Sequence, residues 1–350
     1  MNRPITVFVV DDSAFIRYTV TKHLETDPEI KVIGMAGDGV EAMAKIPSLN
    51  PDVVIMDVEM PRMDGLTALK RIMAEDPRPV VMLSSLTRKG TQTTIRALIR
   101  GAFDFVPKPD GMVNLHTVMD ELREKIKAAA KAPFSKTRLS GTQPLAPPVK
   151  QGPRLLQQED ALIVIGASTG GPHALNQVLT ALPADLPAAL LIVQHMPPKF
   201  TRSLAERLNS RSPLIVQEAA EGDRLARGLA LLAQGDFHMR LRSERQVTLD
   251  QGPKCHHVRP AIDVTMESAV KYYGRRMIGV VLTGMGSDGT DGARLIKAAG
   301  GLVIAEHEST SVVYGMPASV VKAGLADAVV PISKVAQTIV NLLKRERSRI

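Results

Sequence analysis

Ala161-Leu162-Ile163-Val164-Ile165-Gly166-Ala167-Ser168-Thr169-Gly170-Gly171-Pro172 is the stretch on which the reading of this chain turns. The leading apolar run predicts a buried strand. The glycines predict a tight turn, and Pro172 suits the first turn of a helix. Ser168 therefore stands where a strand ends and a helix presents unpaired N–H groups. An α/β protein places either a bound anion or a nucleophile at such a turn.

Outward from this turn, short apolar runs alternate with helix-like segments, the pattern of a parallel sheet covered by helices. Before the turn the runs are Ile5–Val10, Val32–Met35, Val53–Met56, Val80–Leu83 and Phe105–Val106. From the turn onward they are Ala161–Ile165, Ala189–Val193, Leu229–Leu232, Ile278–Leu282 and Leu302–Ile304. Between the two sets, hydrophobic periodicity vanishes and prolines stand at 133, 144, 147, 148 and 153. That composition predicts an extended tether. The expected organisation is a domain over 1–130, a Pro-rich linker over 131–157 and a second domain over 158–350. Both domains are expected to be doubly wound parallel sheets.

The chain has 350 residues, enough for two cores, and 44% of them are apolar, which excludes wholesale disorder. No apolar run approaches the roughly 20 residues of a membrane span, and the start shows no secretory pattern. The single cysteine, Cys255, excludes an internal disulfide framework and fits a reducing cytoplasm. The net charge of +8 suggests nucleic acid, but seven Lys or Arg and no acid lie between Lys125 and Gln158. The basic excess therefore falls largely in a connector and in the C-terminal tail. Aromatic residues are 3% of the chain, so base-stacking platforms are scarce. Nucleic acid and membrane insertion are not expected as partners.

In the first half, Val7–Val10 ends on Asp11-Asp12 and Val53–Met56 ends on Asp57. The C-terminal ends of parallel strands share one sheet edge, so these three carboxylates converge. Crowded carboxylates repel and favour a hard cation, of which Mg²⁺ is the natural choice. Such a metal can neutralise an incoming phosphoryl group. Two further strand ends supply the Ser84 hydroxyl and the Lys108 ammonium. One acid at a strand end commonly caps the next helix. Five such features in this order point to phosphoryl transfer.

The half resembles the response-regulator receiver domain over about residues 4–125, including the loop Met60-Pro61-Arg62-Met63-Asp64-Gly65. The resemblance implies a flavodoxin-like fold with Asp57 as phosphoacceptor. It further implies Asp11, Asp12 and Asp57 as Mg²⁺ ligands, and Ser84 and Lys108 as phosphoryl contacts. Ser84 stands where many receivers have threonine.

Three readings compete for the turn at Ser168. A dinucleotide fingerprint requires glycine at that position, and no acid ends the following strand to hold a ribose. A Walker loop requires a Gly-Lys-Ser/Thr ending, which is missing. Gly-x-Ser-x-Gly fits, although alone it is a weak signal. His195 just beyond one strand and Asp288 in the glycine-rich turn after another strengthen it. A serine hydroxyl needs a base to take its proton, and a carboxylate holds that base in the useful tautomer. Acyl transfer is expected, with Ser168 as nucleophile, His195 as proton shuttle and Asp288 as its orienter. The Thr169 N–H is the expected oxyanion donor and the loop at Met285 a second.

Cys255, His256 and His257 lack ligand spacing, so surface or substrate-contact roles are expected for them, as for His238. Arg259 or Asp263 is a candidate for a place near the site, and for Asp263 the expected role is instead a helix N-cap.

With Gln194-His195-Met196-Pro197-Pro198, Arg259-Pro260-Ala261-Ile262-Asp263 and Gly284-Met285-Gly286-Ser287-Asp288-Gly289, the second half resembles the chemotaxis protein-glutamate methylesterases, CheB, over about 158–345. Gln234 departs from the family's usual proline. The resemblance implies a Rossmann-like esterase domain without a cofactor, acting on glutamate methyl esters of methyl-accepting chemoreceptors and also deamidating receptor glutamines. It implies phosphate delivered by a chemotaxis histidine kinase, and a receiver that limits access to Ser168 until Asp57 is phosphorylated. The alternatives are an esterase of a related non-flagellar chemosensory pathway and a response regulator with a binding output.

Overall fold

A computed structural model describes residues 3–108, 115–132 and 150–347. The chain divides into two units, Met1–Gln143 and Pro144–Ile350. Of the expected linker, residues 133–149 lie outside the described residues. At its end, Arg154 exchanges backbone hydrogen bonds with Arg227 and Leu156 is buried in the second unit.

In the first unit, strands β1 (Ile5–Val10), β2 (Ile30–Ala36), β3 (Val53–Asp57), β4 (Val80–Ser84) and β5 (Asp104–Pro107) form one parallel sheet in the order β2-β1-β3-β4-β5. Every residue of β3 and β4 is buried, as expected of central strands covered on both faces. Helices α1 (Ala14–Leu24), α2 (Gly39–Leu49), α3 (Gly65–Glu75), α4 (Arg88–Ile99) and α5 (Leu115–Lys131) supply the cover. The capping of the first four is done by Ser13, Asp38, Asp64 and Thr87, whose side chains accept first-turn N–H bonds. Asp57 is thus not needed to cap the helix that follows it.

In the second unit a seven-stranded sheet runs in the order β14-β13-β12-β6-β7-β9-β8. Its strands are β6 (Ala161–Ala167), β7 (Ala188–Gln194), β8 (Ile215–Glu218), β9 (Leu229–Leu232), β12 (Met277–Val281), β13 (Leu302–Glu306) and β14 (Ala328–Val330). All pairings are parallel. An antiparallel hairpin, β10 (His238–Ser243) and β11 (Gln246–Asp250), lies apart from it. The helices are α6 (Gly171–Ala181), α7 (Phe200–Asn209), α8 (Ile262–Tyr273), α9 (Thr290–Ala298), α10 (Met316–Lys322) and α11 (Ile332–Arg347). The core is aliphatic, with Leu162, Val164, Leu191, Val193, Met266, Val281 and Ile296 packed together.

Chain order reverses between β6, which leads on to β7, and its other neighbour β12. The crevice at the carboxyl ends of these strands is where an open α/β sheet binds its ligand. Ser168, His195 and the 283–289 turn all follow strands that end there.

Candidate active site

Ser168 leaves β6 with its N–H donating to Thr283 O at 3.0 Å, which ties the turn to the strand end of β12. Gly170 closes the turn at φ +78°, a left-handed conformation that costs glycine nothing, and α6 begins at the next residue. Gly284 permits the close approach of the two turns. A Cβ there would lie 2.7 Å from Ser168 Cβ.

His195 follows β7, and its N–H donates to Ala167 O at 3.1 Å, so Ser168 and His195 sit at the ends of paired strands. The imidazole Nε2 lies 2.7 Å from Asp288 Oδ2. An ionised carboxylate can only accept, so Nε2 carries the hydrogen, and in the neutral ring Nδ1 keeps the lone pair. The ring is therefore held by the opposite nitrogen from that of the familiar serine-protease triad. The Ser168 hydroxyl is half-buried and makes no hydrogen bond among the described residues. The structure thus brings Ser168 and His195 to neighbouring strand ends and leaves their hydrogen bond open, as catalytic contacts often are without substrate.

Asp288 is buried, with three donors converging on it. Besides His195, the N–H groups of Ile262 and Asp263 donate at 2.7 and 2.9 Å. Asp288 thereby caps α8 from outside. Burial pushes its carboxyl up, but His195 and the two backbone donors outweigh this and hold it below the usual carboxylate range.

Asp263 reciprocates. Its Oδ1 accepts from Gly289 and Gly292 at the start of α9, at 2.9 and 2.7 Å. The expectation that Asp263 caps its own helix is corrected here. Ala261 is that N-cap, without a side-chain bond, and Asp263 lies in the first turn and serves α9 instead. The helix starts lie close enough for each to be capped by the other's acid, a tertiary arrangement that spacing along the chain does not encode. Burial and the Asp288 charge push Asp263 above the usual carboxylate range.

Arg259, a candidate for a place near the site, is tied to Asp236 Oδ1 at 2.6 Å and to the carbonyls of Gln251 and Gly252. The Met285 N–H donates to no described residue, and Thr169 is buried with its carbonyl accepting from Thr283 Oγ1 at 2.9 Å.

The first unit gathers Asp11, Asp12 and Asp57, and one carboxylate oxygen from each lies within 4.8 Å of the other two. Lys108 Nζ stands 2.8 Å from Oδ2 of both Asp11 and Asp57. Beyond that ion pair, neither oxygen has a hydrogen-bond donor among the described residues. Three clustered acids, the two buried ones sharing a single ammonium at these oxygens, suit a hard oxygen-seeking cation. Burial, reinforced by the Asp11 charge and partly offset by Lys108, pushes Asp57 up to about 6. Ser84 is buried at the end of β4, where its hydroxyl donates to Ser85 O at 3.1 Å and accepts from Thr94 Oγ1 at 2.6 Å. Pro109, which follows Lys108, lies outside the described residues.

Comparison with known proteins bears on both sites. The family model described as CheB methylesterase matches residues 163–339, and that of the response regulator receiver domain matches residues 7–120. The chain belongs to the CheB methylesterase family. It is 50% identical over 354 residues to the protein-glutamate methylesterase/protein-glutamine glutaminase of Symbiobacterium thermophilum, covering 97% of each chain. It is 46% identical over 351 residues to that of Pyrococcus horikoshii, covering 98% of this chain and 95% of the relative. Among solved structures, the Thermotoga maritima CheB methylesterase catalytic domain matches with a TM-score of 0.52 at 46% identity, covering 52% of this chain and 98% of its own.

One contributor to the CheB-type site escaped the sequence. Gln194, buried at the end of β7, donates from Nε2 to Ser168 O at 2.9 Å and to His195 O at 3.1 Å, so one amide bridges the backbones of the serine and the histidine. The signal was present, a polar residue ending an otherwise apolar strand. In the sequence it registered as the lack of an acid for a ribose. Glu306 at the end of β13 is also buried and accepts from Thr283 N at 2.9 Å, supporting the turn beneath Ser168.

Proposed function

We propose that Ser168, His195 and Asp288 hydrolyse methyl esters of glutamate side chains on methyl-accepting chemoreceptors, and that the same chemistry deamidates receptor glutamines. The observation that carries this reading is the half-buried His195, held by the buried Asp288, beside Ser168 at the topological switch point. His195 Nδ1 takes the hydroxyl proton as Ser168 Oγ attacks the ester carbonyl, and Asp288 offsets the imidazolium charge. The Thr169 and Met285 N–H groups receive the oxyanion. The proton returns to the departing methoxide, methanol leaves, and water releases glutamate by the same route.

Asp57 is the phosphoacceptor in this reading. Its carboxylate attacks the phosphoryl group carried by a chemotaxis histidine kinase, with Ser84 and Lys108 contacting the transferred group. Asp11, Asp12 and Asp57 would hold Mg²⁺, which supplies positive charge against the incoming phosphoryl oxygens when bound. Phosphorylation adds about −1.5 to −2 charge at Asp57. We take this to relieve a restriction that the receiver places on access to Ser168, in a cytoplasmic protein. A shift of about 1.4 kcal/mol in such a balance changes a rare open population roughly tenfold.

The test is methanol release from methylated receptor by the full chain with and without a small phosphodonor, and by a fragment starting near Leu155. The expected order is slow, fast and fast. Equal rates in all three would remove the switch, and activity retained by Ser168→Ala would remove the nucleophile.

A further inference from the structure

Cys255, His256 and Asp263 form a second cluster that acyl transfer does not use. The sulfur, an imidazole nitrogen and a carboxylate oxygen all lie within 4.8 Å of one another. Consecutive residues of an extended chain point in different directions, which is why Cys255-His256-His257 lacks ligand spacing. The fold removes that objection twice. Cys255 and Val258 exchange backbone hydrogen bonds of 3.2 and 2.9 Å, and between them His256 and His257 take φ values of +51° and +63°. Two successive left-handed residues form the tight reversal of a two-residue hairpin, here without the usual Asn or Gly. The third ligand is then Asp263 from the first turn of α8 rather than His257.

Asp263 is arranged as a metal-binding carboxylate is, one oxygen fixed and one offered. Oδ1 is held by the N–H groups of Gly289 and Gly292, and Oδ2 faces His256 Nε2 at 2.8 Å. Hydrogen bonds of this kind orient a ligating group and are part of a working metal site. The donor set is diagnostic of the cation. Thiolate with imidazole favours Zn²⁺ over Mg²⁺ or Ca²⁺, and one carboxylate completes a three-ligand set of the kind that leaves a fourth position open. His256 is exposed, which gives an ion a route in. Tetrahedral zinc requires its ligand atoms to stand about 3.3–3.8 Å apart; side chains gathered within 4.8 Å reach this by small shifts, the His256 Nε2–Asp263 Oδ2 pair opening from 2.8 Å as the ion replaces their hydrogen bond.

We propose that Cys255, His256 and Asp263 bind one Zn²⁺ ion, and that this ion slows the esterase. On binding, the Cys255 thiol gives its proton to solvent, and the sulfur, a neutral imidazole and the Asp263 carboxylate bond to the metal. The route to the esterase is short. The Asp263 N–H donates to Asp288 Oδ1 at 2.9 Å, and Asp288 Oδ2 holds His195. A dication on Asp263 opposes the imidazolium that His195 must become. This second half of the inference rests on the esterase reading above.

The test uses the full chain, stripped of metal and then supplied with saturating Mg²⁺. It is titrated with Co²⁺ to read thiolate-to-cobalt charge-transfer absorption, and with Zn²⁺ against a chromophoric chelator. Cys255→Ser and His256→Ala are run beside the parent. One Zn²⁺ per chain is expected, with affinity reduced about 100-fold or more in either variant and the cobalt band absent from Cys255→Ser. Methanol release by the parent should fall at least several-fold with Zn²⁺. In each variant the rate should no longer fall with Zn²⁺ relative to that variant's own zinc-free rate. Equal zinc affinity in parent and variants, or a cobalt band that survives Cys255→Ser, overturns the site. Tight zinc binding with an unchanged rate overturns the inhibition. Failure of the zinc-free parent to release methanol counts against the esterase reading, while the absorption titration still decides the metal site.

Discussion

Asp57 ends one fully buried parallel strand and Asp288 lies in the turn after another, and each has a second buried acid close by, yet their surroundings are opposite. Asp57 shares Lys108 with Asp11, and beyond that ion pair the Oδ2 of each has no hydrogen-bond donor among the described residues. Asp288 receives an imidazole and the two backbone N–H groups that open α8, while its neighbour Asp263 is occupied at the start of α9. Accordingly burial wins at Asp57, pushed up to about 6, and loses at Asp288, held below the usual range. The difference separates two chemistries: crowded acids sharing one ammonium suit a cation and a phosphoryl group, whereas a carboxylate fixed by three donors suits the support of a developing charge, as proposed above.

The largest effect expected from breaking this contrast is on catalysis. Ser168→Ala should lower the rate of methanol release by about 10⁴-fold or more, and Asp288→Asn by roughly 10³–10⁴-fold, because the amide no longer supports the imidazolium. Steady-state assays on methylated receptor would check both. A loss of less than tenfold in Asp288→Asn would contradict its role.

Next comes the stability of the first unit in chelator-treated protein. Below about pH 4 Asp57 is protonated both folded and unfolded. As pH rises, the unfolded chain ionises near 3.8 while the folded carboxyl waits until about 6, so stability falls across that window. Asp57→Asn should therefore stabilise this unit by about 2–3 kcal/mol at pH 7 and by nothing below about pH 4. Mg²⁺ should raise the parent's melting temperature more than the variant's. Calorimetry at several pH values is the measurement, and a gain independent of pH would exclude charge crowding as its origin.

In the second unit the sign reverses. Asp263→Ala should destabilise by about 2 kcal/mol, since two N–H groups of α9 lose their acceptor, and a denaturant titration would show it. Asp288 contributes stability above about pH 4 that fades as pH falls below that value. Gln194→Ala should have the smallest effect, about 1 kcal/mol and a several-fold fall in kcat. A KM change alone would point to substrate contact instead of backbone positioning.

Much of this was legible in the sequence because buried parallel strands read as continuous apolar runs. Val53–Met56 and Ala161–Ile165 announced β3 and β6, with boundaries one or two residues short where the polar or small ends Asp57 and Gly166-Ala167 remain in the strand. Ile215–Glu218 and Ala328–Val330 did not stand out, being short sheet-edge strands with exposed positions. The hairpin of β10 and β11 escaped for a related reason, its charged side chains Arg240, Arg242 and Asp250 alternating with buried ones. Within the site, acids at strand ends could be named because topology brings such ends together. The mutual capping by Asp263 and Asp288 and the bridging amide of Gln194 could not, since each depends on a contact between segments distant in the chain.

The central claim is that a charge placed on Asp57 controls a serine esterase in the same chain. It is tested most directly by timing methanol release from methylated receptor by the full-length protein with Mg²⁺, before and after addition of a small phosphodonor. A rise of about tenfold or more is expected in the parent, no rise in Asp57→Asn and no release from Ser168→Ala. An unchanged rate in phosphorylated parent, or an equal rise in Asp57→Asn, would contradict it.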